Sequence, residues 1–150
     1  MKNYEKIIKL YFNSVREFNE FESIPRDFGT GDLLYSAEIH TLQVIGKNAN
    51  INLTELAAKL DISKSGASKF VKKLIEKKLI TKSKYLSNRK EVVFNLTEKG
   101  VIAYLGHEKF DLEVFASIYK ILSGLDEKEK EFLESFLDQL VSEVKKLNKK

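Results

Sequence analysis

The sequence predicts a mainly α-helical chain with a small two-stranded β wing, and three observations support this. Apolar residues recur at helical spacing from Tyr4 to Leu147. Only Leu79–Lys84 and Glu91–Leu96 read as strands, the EVVFNL run being the clearer. Just before them, two short amphipathic stretches flank the three-residue turn Asp61-Ile62-Ser63. Helix, tight turn, helix and ribbon together make a winged helix–turn–helix layout.

The first helix is expected over residues 2–22. Tyr4, Ile7, Ile8, Tyr11, Phe12, Val15, Phe18 and Phe21 form a band too wide for one thin neighbour to cover. Residues 23–35 hold the only proline, Pro25, with Gly29 and Gly31, and read as a loop. Ser36 is placed to cap a short helix through about Gly46, with Leu42 and Ile45 inward. Asn48–Asn50 make the next turn. Asn52 with Glu55 resembles a capping box for a helix of Leu53–Leu60, whose inner face is Leu53, Leu56, Ala57 and Leu60. In the turn, Asp61 tolerates an unusual backbone, Ile62 can bury and Ser63 caps the second helix of the pair.

This second helix, Ser63–Lys78, is the centre of the chain. Ala67, Phe70, Val71 and Leu74 fall on one face, with Ile75 at its edge. Ser65, Ser68, Lys69 and Lys72 fall on the other, with no carboxylate expected among them. Small hydroxyls beside long cations suit a helix laid in a DNA groove. Tyr85–Lys90 is a polar, basic hairpin tip between the strands. Thr97 caps a long helix, Glu98 to about Leu122, with a stripe of Val101, Leu105, Leu112, Phe115, Ile118 and Leu122; Gly124 ends it. Asp126 with Glu129 opens the last helix. Its seam is Phe132, Leu133, Phe136, Leu137, Leu140, Val141, Val144 and Leu147.

Charge sharpens this reading. Residues 59–90 hold eleven Lys/Arg against two acids, Asp61 and Glu76, a net +9. The whole chain is only +4, so the remainder is −5. A basic block in an acidic chain is the footprint of a polyanion partner. The chain has no cysteine, which excludes disulfides and thiolate metal sites. No apolar run approaches the roughly 20 residues of a membrane span. The N-terminus lacks a cleavable hydrophobic region, so a cytoplasmic location is expected. No Gly-rich phosphate loop and no local nucleophile elbow occur, so an enzyme is not expected.

ELAAKLDISKSGASKFVKKLIEKKLITKS, a basic hairpin, and LTEKG at Leu96–Gly100 together resemble the MarR family of transcription regulators. The order of elements matches along essentially the whole chain. EIHTLQVIGKN at Glu38–Asn48 resembles a subset that includes fatty-acid-synthesis repressors. The resemblance implies one chain, 1–150, with a DNA-binding lobe at 36–97 and dimerisation helices at 1–22 and 98–150. It implies a homodimeric repressor of double-stranded DNA. The recognition helix would enter the major groove and the wing the minor groove, on a pseudo-palindromic operator, with a small-molecule effector setting the spacing of the two helices. On matching positions the DNA contacts are Ser63, Lys64, Ser65, Ser68, Lys69 and Lys72. Lys73 on the helix and Lys84, Asn88, Arg89 and Lys90 on the wing complete the set. Family wings usually carry Asp-x-Arg, and here Asn88-Arg89-Lys90 departs from it. Either Arg89 substitutes for the aligned arginine or the wing reads the groove less sharply through the more hydrated lysine, and a weaker minor-groove contribution is expected.

Two side readings remain. His40 and His107 are the only histidines. They match positions at which a zinc-responsive branch of the family binds metal, with Asp111 where that branch has a further His and Glu20 or Glu22 at the end of the first helix. Glu22, His40, His107 and Asp111 are therefore an alternative zinc site, against the plainer reading of a hydrogen-bonded, packed histidine pair. Separately, Tyr4, Tyr11, Phe12, Phe18, Phe21 and Phe28 line either an apolar effector pocket or a dimer core. A winged helix used for protein interaction instead of DNA would present an apolar or acidic recognition face, unlike this one.

Overall fold

The computed structural model describes residues 2–85 and 88–148. They fall into two compact units, Met1–Glu108 and Lys109–Lys150. Six helices and five short strands follow in the order α1 (Lys2–Ser23), β1 (Arg26–Asp27), β2 (Leu33–Leu34), α2 (Ser36–Lys47), β3 (Ile51–Asn52), α3 (Leu53–Lys59), α4 (Lys64–Glu76), β4 (Ile80–Tyr85), β5 (Asn88–Leu96), α5 (Glu98–Ser123) and α6 (Glu127–Leu147).

The core of the first unit lies beneath α4. Leu42 of α2, Leu56 of α3, Ala67 and Leu74 of α4 and the linker residue Leu79 have no exposed surface. Ile39, Ile45, Ile51, Val93 and Phe94 are buried with them. The wing is one strand richer than expected, because β3 pairs antiparallel with β5 and gives the order β3-β5-β4. The 23–35 segment is also more ordered than a plain loop. Arg26 pairs with Leu34 and Asp27 with Leu33 as a small antiparallel ribbon. Its turn is closed by the Asp27 carboxylate, which accepts the amides of Gly29, Thr30 and Gly31 at 2.9, 2.9 and 3.0 Å. Gly29 and Gly31 take positive φ there, where a side chain would be strained.

Helix ends follow their caps. Asn52 accepts the Glu55 amide at 2.9 Å while Glu55 accepts the Asn52 amide at 3.0 Å. Asp126 and Glu129 repeat the pattern on α6. At α2 the expectation needs correction. Tyr35 is the N-cap residue and its amide goes to the Glu38 carboxylate. The Ser36 hydroxyl instead donates to Glu22.

The buried stripe of α5 within the first unit is also not the expected one. Gly100, Ala103 and His107 are buried, whereas Val101 and Leu105 are exposed. Gly100 is what lets α5 approach. A Cβ there would lie 1.9 Å from the Leu79 carbonyl oxygen. The same oxygen accepts the Thr97 amide at 3.0 Å, while the Thr97 hydroxyl donates to the adjacent Lys78 carbonyl at 2.8 Å and lies 3.1 Å from that of Leu79. Thr97 in turn caps α5 by accepting the Gly100 amide at 2.9 Å. In the second unit α6 buries no residue at all.

Candidate nucleic-acid interface

The turn between α3 and α4 aims the second helix. Asp61 takes φ 52°, the left-handed conformation that lets the chain reverse within three residues. Ile62 stays 38% exposed, contrary to the expected burial, because this reversal carries it outward. Ser63 accepts the Gly66 amide at 3.1 Å and its hydroxyl lies 3.0 Å from that of Ser65. Its hydroxyl thus serves first as the helix cap.

On α4, Ala67, Val71 and Leu74 are buried. Lys64, Ser65, Ser68, Lys69 and Lys72 are all exposed, as the periodicity predicts. The outer face also holds a carboxylate that was not expected there. Glu76 lies one turn beyond Lys72 and 3.9 Å from its ammonium, with both side chains well exposed. A solvated pair of this kind neutralises little, so Lys72 keeps its reach toward an anion.

The two other lysines of this region behave differently. Lys77 donates to the Glu38 carboxylate and to the Leu33 carbonyl, each at 2.9 Å. Lys73 lies 3.8 Å from the other oxygen of Glu38 and 6.0 Å above the Tyr35 ring. Glu38 is 1% exposed. Burial alone would push its carboxyl up; the hydrogen bonds from Lys77 and from the Tyr35 amide, with the charges of both lysines, outweigh that and hold it below its ordinary value. Lys73, expected among the DNA contacts, therefore leans toward the protein.

The wing strands run longer than expected. β4 reaches Tyr85 and β5 begins at Asn88, so much of the expected tip belongs to the strands. Pairing steps from Lys84↔Val92 to Tyr85↔Asn88, which leaves residues 89–91 of β5 in a bulge. Arg89 and Lys90 belong to that bulge. Their side chains and that of Asn88 lie outside the described residues, as do Leu86 and Ser87 entirely. Lys82 and Lys84 are exposed on β4. A groove of about 560 Å³ lies between α4 and the wing, lined by Ser68, Val71, Lys72, Lys82 and Phe94 among others.

The histidines do meet. Their rings are 5.6 Å apart, edge to face, and Phe28 lies 4.9 Å from His107. Ser36 links Glu22 to this pair, its hydroxyl donating to Glu22 and lying 3.4 Å from His40 Nδ1. Among the described residues no group of three or more His, Cys, Asp or Glu is placed to hold a metal ion. Asp111 belongs to the second unit. Of the six aromatics considered for an effector pocket, Phe28 is buried, while Tyr4, Phe12 and Phe18 are exposed on α1.

The sequence model of the MarR family matches residues 34–92, which span α2, the helix–turn–helix and most of the wing. Over those residues the chain is similar to the MarR family. Among its relatives, the HTH-type transcriptional regulator PchR of Bacillus subtilis (strain 168) is 34% identical over 104 residues, covering 69% of this chain and 62% of PchR. The chain thus spans less than two thirds of that relative's length. Two solved MarR-type folds superpose closely. Streptococcus pneumoniae FabT, solved in complex with DNA, is 22% identical with a TM-score of 0.68, covering 97% of this chain and 98% of FabT. Lactococcus lactis ZitR, also solved in complex with DNA, is 23% identical with a TM-score of 0.77, covering 93% of this chain and 97% of ZitR. Among the described residues no helix is long and apolar enough to cross a membrane.

Proposed function

We propose that this chain is a DNA-binding transcriptional regulator, not an enzyme, that acts as a homodimer and represses from a pseudo-palindromic operator. The observation that carries the reading is the outer face of α4. Ser65, Ser68, Lys69 and Lys72 stay exposed while the opposite face is locked into the core. Lys64, Lys69 and Lys72, with Lys82 and Lys84, would meet phosphates; Ser65 and Ser68 would meet base edges. The apolar faces of α1 and α6 support dimerisation, because large residues such as Tyr4, Phe12 and Phe132 are exposed. Two recognition helices related by two-fold symmetry need half-sites about one helical turn apart.

Selection from a random-sequence duplex pool, followed by gel shifts over a salt series, tests the reading. Recovery of a two-fold-related motif with steep salt dependence is the expected result. No shift at low salt, with the dimer intact, overturns it.

The effector reading is that a small ligand binds one spacing of the two helices better than the other. A second reading makes zinc or a related divalent ion that effector, with DNA as the output. The approach of His40 to His107 favours it, as does the likeness to ZitR, a zinc-responsive MarR family member. Two imidazoles form an incomplete set for zinc, which takes about four ligands. Zinc titration of the free protein decides between them. No high-affinity uptake, or uptake unchanged in His40→Ala/His107→Ala, removes the second reading.

A further inference from the structure

Glu38 is the only buried carboxylate among the described residues of the core. It lies on α2, far in sequence from α4, yet it holds both lysines on the inner flank of the recognition helix. Lys77 Nζ reaches its Oε2 at 2.9 Å and Lys73 Nζ its Oε1 at 3.8 Å. Around this pair the end of α4 is gripped again. Lys77 Nζ also donates to the Leu33 carbonyl on the β1–β2 ribbon. Lys99 of α5 pairs with Asp32 at 2.6 Å and donates to the Lys77 carbonyl at 3.3 Å. The C-cap of α4 is thus held by a ribbon carbonyl, the α2 carboxylate and an α5 ammonium at once. The Lys77–Glu38 contact is a short charge-assisted hydrogen bond onto a fully buried carboxylate, which constrains direction while adding little net stability.

We propose that Glu38 is a positioning residue for DNA recognition: it withdraws Lys77 from phosphate contact, draws the half-exposed Lys73 toward the protein, and fixes the register of α4 in the groove. The proposal rests on the DNA-binding reading above. Its consequence is a division of labour among the cations of α4. Lys64, Lys69 and Lys72 supply the electrostatic attraction, and Lys77, with Lys73 beside it, supplies alignment. Alignment matters for a selected operator far more than for random DNA, to which charge alone suffices.

The test compares binding of the full-length protein to a duplex recovered by selection and to a random-sequence duplex of the same length. In Glu38→Gln, which keeps shape and the Tyr35 cap but loses the charge, the ratio of specific to non-specific affinity should fall about tenfold. Non-specific affinity should hold or rise, because an acid is gone. General unfolding would instead lower both. In Lys77→Met, which keeps the stem, the salt slope should match wild type while specific affinity falls. A ratio within twofold of wild type in Glu38→Gln overturns the proposal, as does a slope in Lys77→Met that drops by the full value of one phosphate contact. The anchor is also read without DNA. Amide exchange at residues 73–79 should quicken about tenfold in Glu38→Gln, and unchanged exchange overturns the anchor. Failure of wild type to bind any duplex, with the exchange result intact, would fault the DNA-binding reading alone.

Discussion

The lobe beneath α4 and the helix α6 are built from similar apolar residues, yet they end in opposite states. In the lobe, Leu42, Leu56 and Leu74 lose all their exposed surface. On α6, Phe132 remains 72% exposed and Val141 52%. Both helices are amphipathic, so periodicity alone does not distinguish them. The difference is whether the chain supplies its own partner surface. The lobe does, through α2, α3 and the wing. The apolar stripe of α6 matches what a second protomer would cover.

The sharpest way to break this contrast is to charge the α6 stripe. Phe132→Glu with Val141→Glu places four carboxylates per dimer where apolar side chains would be buried. At about 1.5–3 kcal/mol for each lost burial, dimer affinity should fall well over ~100-fold. Sedimentation should then show a folded monomer, and operator binding should fall with it. A dimer that survives would refute the α6 interface. Within the lobe, Leu74→Ala should cost about 2–5 kcal/mol in urea unfolding. Measured at concentrations where the chain is monomeric, Phe132→Ala should cost less than about 0.5 kcal/mol. Equal costs would mean that the two regions do not differ as described.

These two regions also show what the sequence could disclose. The helix–turn–helix, its caps and the hydroxyl–lysine face are legible because each depends on residues within one or two turns of one another. The contacts that place α4 are not. Glu38 reads as an ordinary polar residue on a helix, and its partners Lys73 and Lys77 lie 35 and 39 positions away. The β1–β2 ribbon escapes notice because two-residue strands are too short to show alternation. On α5 the apolar stripe points to Val101 and Leu105, but close packing selects Gly100 and Ala103, residues a hydrophobicity pattern undervalues. Glu76 falls outside the expected groove face because the spacing that defines that face ends at Lys72.

Two smaller effects refine the comparison inside the lobe. Lys72→Ala should reduce the salt slope of DNA binding by about 1, the value of a single phosphate contact, and weaken all sequences alike. A slope equal to wild type would remove Lys72 from the phosphate-contacting set. The smallest effect concerns acid. Glu38 is held below its ordinary value of 4.5, so its unfolded form takes up protons first as pH falls. Its contribution to stability is therefore complete above that value and lost as pH drops through the lower folded one. Urea midpoints measured downward from neutral pH should fall less steeply in Glu38→Gln than in wild type. Parallel curves would show that the Glu38 charge is not linked to folding.

The junction at Leu79 has a consequence for how this chain can vary. Thr97 ties its amide to the Leu79 carbonyl and its hydroxyl to that of Lys78, and the Leu79 oxygen leaves no space for a Cβ at Gly100. The Leu-Thr-Glu-Lys-Gly segment is thus held by stereochemistry, independent of any DNA sequence the protein reads. If the outer face of α4 reads DNA as proposed, lineages can re-tailor it one side chain at a time. At Gly100 no single replacement is free of a backbone shift, so the joint should drift last while the reading surface drifts first.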